Sequence, residues 1–195
     1  MCSSDLMRAT QMSGQMARYY GLPMRASNAC SANCPDSQSA WESAFSLWAC
    51  VSSKANVVYH AAGWLEGGLC ASYEKFVMDC ETLQQIMHYM RPVTTTPDDI
   101  ALEAIREVGP SGHFFGASHT QSRYAEAFYS PFVSDWSNFE SWQERGSVST
   151  PARANRICKR ILAEFEPPAL DPAIKEELGA FVARRKREGG APTDF

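Results

Sequence analysis

The chain has 195 residues, of which 45% are hydrophobic and 21% charged, and it carries a formal net charge of −4. This is the balance of an ordinary globular protein with room for one sizeable core, which excludes wholesale disorder, and its acidic sign offers no footprint for nucleic acid. No apolar stretch approaches the roughly 20 residues that cross a bilayer, and Met1-Cys2-Ser3-Ser4-Asp5 lacks the basic, then apolar, start of a signal peptide.

The seven cysteines are scattered and form no disulfide framework. The expectation is a cytoplasmic chain with reduced thiols and neither a membrane nor a nucleic-acid partner.

Residues 3–20 read as a helix, with Leu6, Met7, Met12 and Met16 as its apolar set and Gly21 as its stop. Leu22 to Ser27 is a short strand candidate that Pro23 would open. Asn28 to Cys34 is a loop of small residues. Pro35 fits the first position of the next helix and Asp36 suits its positive end. That helix carries Trp41, Phe45, Trp48 and Ser52 at i, i+4, i+7 and i+11, which predicts an aromatic inner face.

Residues 55–62 follow as a second strand. Leu69, Tyr73, Phe76, Val77, Cys80, Leu83, Met87 and Met90 then recur at helical spacing over residues 69–91. Pro97 to Val108 is another helix, ended by Gly109, and Gly112 to Gly116 is a glycine-bounded third strand. Four helices complete the chain, at Thr120–Phe128, Asp135–Arg145, Thr150–Phe165 and Asp171–Arg187. Thr150-Pro151 and Asp171-Pro172 are cap-plus-proline starts. Residues from Gly189 onward are expected to fray.

This order is a βα alternation with a helical tail, so the fold class is α/β. It supplies about three strands, whereas a closed (β/α)8 barrel needs eight. The chain is either a small open sheet or one end of a larger barrel.

Chemistry concentrates where the second strand ends. Tyr59, His60, Trp64 and Glu66 place a phenol, an imidazole, an indole and a carboxylate within eight residues, at the carboxyl end of a strand, where α/β folds build sites. Each has a plainer reading. His60 fits a satisfied histidine at a strand end, Glu66 a charge favouring the start of the next helix, and Trp41–Phe45–Trp48 simple helix packing. Cys30 and Cys34 invite a metal, but no second pair stands at zinc spacing. His113 and His119 lack a third ligand.

Through Tyr59-His60-Ala61-Ala62-Gly63-Trp64-Leu65-Glu66-Gly67-Gly68-Leu69 and on through Ser72–Glu81, the sequence resembles the trimethylamine methyltransferase family. Pro35–Glu42, Gly112–Thr120 and Leu162–Pro168 carry the same likeness, which runs from about residue 1 to about 188. Family members are roughly twice as long, with a TIM barrel formed by the whole chain. The resemblance therefore implies the carboxyl-terminal portion of such a barrel. Residues 1–130 would be partial βα-barrel units, residues 131–188 a helical extension and residues 189–195 a disordered tail.

The family's pyrrolysine aligns with the loop at Asn28–Pro35, where every residue here is ordinary. That implies the non-pyrrolysine branch, with glycine betaine methyltransferases among its members.

The implied reaction moves a methyl group from a methylated amine, such as a betaine or trimethylamine, to the Co(I) corrinoid (a cobalamin) of a partner corrinoid protein. No cofactor would be held tightly by this chain. A quaternary ammonium already has a neutral amine as leaving group, so the site needs orientation and aromatic faces rather than a general acid. The residues expected to serve are His60 and Glu66 for catalysis. Tyr59, Trp64, Gln38, His113 and Phe114 would bind substrate, with Phe115 as a further aromatic and Asn28 as a carboxylate donor. A homo-oligomer is a further expectation. The rival expectation is a non-catalytic truncated chain or a small α/β interaction module.

Overall fold

The structure, a computed structural model, describes residues 3–190. They fall into two compact units that divide between Arg160 and Ile161.

Helix α1 (Ser3–Tyr19) packs on α2 (Ser37–Ser52). Gly14 permits the approach: a Cβ there would come within 2.5 Å of the Ser53 carbonyl oxygen. Arg18 caps the contact by donating to that same carbonyl. Strands β1 (Arg25–Ser27) and β2 (Val57–Tyr59) pair in parallel, with Ala26 opposite Val58, and α2 is the crossover between them. Below the pair, Asn56 Oδ1 accepts from the Met24 N–H at 2.9 Å and sets the register.

Three expectations about this region are corrected. Helix α2 starts at Ser37 rather than Pro35, because Asp36 is its N-cap and accepts from the Ser39 N–H. The aromatic face of α2 is not its inner face. Trp41, Phe45 and Trp48 are all substantially exposed, while Ser39, Glu42, Ser43, Ser46, Leu47, Ala49 and Cys50 are buried. The reason is hydrogen bonding: beyond Asn28 the loop leaves the parallel pair, and this polar face takes up its free backbone groups. Ser46 donates to the Ala29 carbonyl at 3.0 Å, and Glu42 accepts from the Ser31 and Ala32 N–H groups. The second strand is also shorter than expected, since His60 turns into the left-handed region at φ 51°.

After β2 the chain makes an unexpected two-residue hairpin, β3 (Trp64–Leu65) against β4 (Cys70–Ala71). Helix α3 then runs Tyr73–Tyr89, capped by the Ser72 hydroxyl, and excludes the exposed Leu69. The helix expected at 97–108 breaks at Ala101 (φ 59°) into α4 (Pro97–Ile100) and α5 (Leu102–Val108), the first closed by a Thr96–Asp99 capping box. The third strand expected at 112–116 is instead a 3-10 turn at Phe114–Gly116. Short helices α6 (Ser118–Arg123) and α7 (Phe139–Glu144) lead to α8 (Thr150–Ala163). The last helix, α9 (Pro172–Arg187), has Asp171 as its cap and Pro172 at its start.

The architecture is mixed α/β, rich in helix, with two separate two-stranded sheets. Of the tail expected to fray, residues 191–195 lie outside the described part. Among the described residues no helix is long and apolar enough to cross a membrane.

Candidate functional site

The parallel pair β1–β2 delivers its carboxyl ends side by side, and the Asn28 N–H donates to the Tyr59 carbonyl at 3.1 Å to extend the pairing by one step. His60 follows directly. Its Nδ1 lies 3.1 Å from Ser27 Oγ, the last side chain of β1. The ring packs edge-on to Tyr59 at 5.8 Å and to Trp64 at 5.1 Å between centroids. The Arg25 guanidinium stacks over Tyr59 at 4.5 Å. His60 and Tyr59 are exposed, so the imidazole is not a core histidine.

Trp64 faces two ways. Besides meeting His60 it lines a cavity of about 540 Å³ with Ala62, Gly63, Ala71, Ser72, Tyr73 and Phe76, a size usual for small-ligand sites. Tyr73 and Phe76, which spacing assigns to the helix over residues 69–91, sit on the first turn of α3, directly after its cap, and open onto this cavity. Glu66 is exposed, and its backbone N–H is fixed by the Ala32 carbonyl at 2.9 Å. It stands in a tight turn at φ 51°.

A buried polar network supports this loop, and sequence reasoning missed it. Lys75, fully buried, donates to both oxygens of Asp79 and to Ser43 Oγ. Asp79 also accepts the Gly63 N–H at 2.9 Å, while Asn28 Nδ2 donates to Ser43 Oγ and to the Ala61 carbonyl, each at 3.1 Å. The two ends of the Ala61–Gly63 turn are thus held by one network. Gly63 itself adopts φ 88° against Phe76 Cβ, where a side chain would be strained. The available signal was Lys75-x3-Asp79, an i, i+4 ion pair inside a helix otherwise read for its apolar spacing.

Other expected residues are placed differently. Gln38 donates to Glu42 Oε1 at 3.1 Å, in the clasp around Ser31 and Ala32. Asn28 is not free to receive a carboxylate, because both of its amide contacts are made within the network. His113, Phe114 and Phe115 are exposed on the 3-10 turn, with His113 against Phe115 at 5.9 Å. They do not line the Trp64 cavity. Burial pushes the Cys30 thiol up to about 11, and a hydrogen bond to Asp36 raises Cys34.

Burial alone would raise the Glu42 carboxyl, but bonds from Gln38 and from the Ser31 and Ala32 N–H groups outweigh it and hold the group below the ordinary carboxylate range. With the folded value below the unfolded one, its stabilisation is complete above the unfolded value and is lost as pH falls through the folded one. The expected result is that Glu42→Gln flattens the acid limb of a stability-versus-pH curve below about pH 5. A limb as steep as the parent's would disprove the assignment.

A family model described as Trimethylamine methyltransferase (MTTB) matches residues 2–190. A glycine betaine methyltransferase of Desulfitobacterium hafniense (strain Y51) is 39% identical over 179 residues, covering 91% of this chain and 37% of that protein. Trimethylamine methyltransferase MttB2 of Methanosarcina mazei is 29% identical over 174 residues, covering 89% of this chain and 35% of the relative. Trimethylamine methyltransferase MttB of Desulfitobacterium hafniense (strain DSM 10664 / DCB-2) is 28% identical over 177 residues. The chain spans a little over a third of the length of these relatives. With the family's match running through both the strand-end site and the helical tail, this chain belongs to the trimethylamine methyltransferase family.

Proposed function

We propose that this chain contributes the substrate-facing βα portion of a methyltransferase that transfers a methyl group from a quaternary methylated amine to the Co(I) corrinoid of a separate protein. The observation that carries the reading is the Trp64–Tyr73–Phe76 cavity beside the Ser27–His60 pair, at the carboxyl ends of two parallel strands. Parallel strands joined by a helix, with the site at their carboxyl ends, are how a larger barrel would present it.

Aromatic faces hold a quaternary ammonium by cation–π attraction, on the order of 0.5–2 kcal/mol for each ring. His60, held through Nδ1 by Ser27, binds the carboxylate of a betaine through its other ring nitrogen. Tyr59 braces the imidazole, and Glu66 offers a charge for an amine that keeps its proton. His113 and Phe114 join this site on the family resemblance alone. The reduced corrinoid supplies the attacking nucleophile, and the residues here orient the N–CH3 bond and exclude water.

The test is conversion of Co(I) to methyl-Co(III) on a corrinoid protein by a full-length form carrying these residues, scanned over betaines and methylamines. Conversion is expected with a quaternary amine, and failure with every substrate would end the enzymatic reading. His60→Ala is expected to lower transfer about 100-fold or more with the fold retained. Near-parental transfer by His60→Ala would leave this histidine a purely structural role.

A further inference from the structure

One buried residue reaches both sides of His60. Asn28, 2% exposed, follows directly on β1. Its backbone N–H donates to the Tyr59 carbonyl and its side-chain Nδ2 to the Ala61 carbonyl, each at 3.1 Å. The two carbonyls that flank His60 are therefore anchored to a single residue. Nδ2 also donates to Ser43 Oγ at 3.1 Å, which ties the amide to α2.

The orientation of that amide is costly. Oδ1 is buried with no hydrogen-bond partner among the described residues, and an orphaned buried acceptor lowers stability. Turning the amide over would set Oδ1 against the Ala61 carbonyl oxygen, acceptor facing acceptor, so the hold on Ala61 fixes which way it stands. His60, between the two anchors, carries a second cost in its φ of 51°, a left-handed backbone that a Cβ disfavours. Such conformations persist where the surrounding structure over-determines them. Ser27, the neighbour of Asn28, meets the ring that this turn presents, with Oγ 3.1 Å from Nδ1. The Ser27 carbonyl in turn accepts from Cys50 Sγ at 3.5 Å, so the end of β1 is itself held.

We infer that Asn28 is a positioning residue. By holding the Tyr59 and Ala61 carbonyls it imposes the left-handed turn at His60 and so keeps the imidazole between Ser27 and Trp64. Without the Nδ2 bond the Ala61 carbonyl is free to turn, His60 relaxes to negative φ, and the ring leaves both neighbours. The placement of the ring follows from this geometry alone, whereas its consequence for methyl transfer rests on the function proposed above.

Nuclear Overhauser contacts between the His60 ring protons and the Trp64 indole report this placement in the chain without any substrate. They are expected in the parental chain and lost in Asn28→Leu, which fills the same space without a donor. Asn28→Asp keeps the shape but sets an acceptor against the Ala61 carbonyl, and should lose them too. Ser43→Ala removes the other acceptor of the amide and leaves the Ala61 bond, so it should lower the denaturant midpoint and keep them. Backbone strain gives a second readout. His60→Gly should exceed His60→Ala in folding equilibrium constant by roughly fivefold, the reverse of their usual order, and this margin should vanish in the Asn28 variants. Ring contacts that survive both Asn28 changes, or that Ser43→Ala removes equally, overturn the proposal. So does a parental background in which His60→Gly is no more stable than His60→Ala. In a full-length form, Asn28→Leu should lower methyl transfer roughly tenfold or more. Lost ring contacts with parental transfer would leave the positioning intact and end the role of His60 in the reaction.

Discussion

Replacing Lys75 by methionine is expected to lower the unfolding free energy by about 3–5 kcal/mol, the usual consequence of stranding one charge of a buried pair. Lys75 is fully buried and Asp79 is 2% exposed. Every hydrogen of the ammonium has a partner, in the two Asp79 oxygens and Ser43 Oγ. Methionine fills the same space but leaves the Asp79 carboxylate with only the Gly63 N–H among these partners. Because a domain of this kind is stable by only about 5–15 kcal/mol in total, the loss is large.

The double variant Lys75→Met/Asp79→Asn removes both charges and keeps an acceptor for Gly63, so it is expected to be more stable than Lys75→Met alone. Denaturant midpoints for the two singles and the double measure the coupling. Strictly additive losses would show that the pair does not act as a unit. A coupled result would also show that the Ala61–Gly63 turn depends on the network, since Asp79 and Asn28 hold its two ends.

The second large effect is expected at Glu81, which is 4% exposed. Its carboxylate accepts from the N–H groups of Phe132, Val133 and Ser134 and from the Ser134 hydroxyl. Arg153 donates to the Val133 carbonyl at 2.7 Å from the other side. The segment around Val133 has no helix or sheet of its own, so two charged side chains satisfy its backbone. They also seat Val133 in the cluster with Val77 and Ala154, packed by Met78, Ile157 and Cys158.

Glu81→Gln keeps the size but turns an amide N–H2 toward these donors. The expected loss is about 3 kcal/mol, with faster hydrogen exchange at residues 132–134. Unchanged midpoint and unchanged exchange would show that the clasp is not what holds this segment.

The caps and periodicities of this chain act over a few residues, and they were legible as such. Gly21 ends α1 as read, Asp171-Pro172 opens α9, and Asp36 serves the start of α2, as its cap rather than as a residue beside Pro35. The cluster Tyr59–His60–Trp64 was visible in the same way, because the strand end and its neighbours are contiguous in the chain. Where the reading failed, a local pattern had been asked a non-local question. Trp41, Phe45 and Trp48 are periodic, but periodicity identifies a face without saying what lies across from it. Gly112–Gly116 resembled a strand, yet a strand exists only where a partner offers its ladder.

The amino-acid order by itself therefore determined where the long helices lie, the Asp171-Pro172 start of α9, the family and the segment where Tyr59, His60 and Trp64 cluster. Only the tertiary structure decided which faces are buried: Glu42, Lys75, Asp79 and Glu81 lie inside because unpaired backbone groups and opposite charges from distant segments meet them there. Burial of a charged side chain depends on partners brought together by folding, and nothing within a few residues of it records who those partners are.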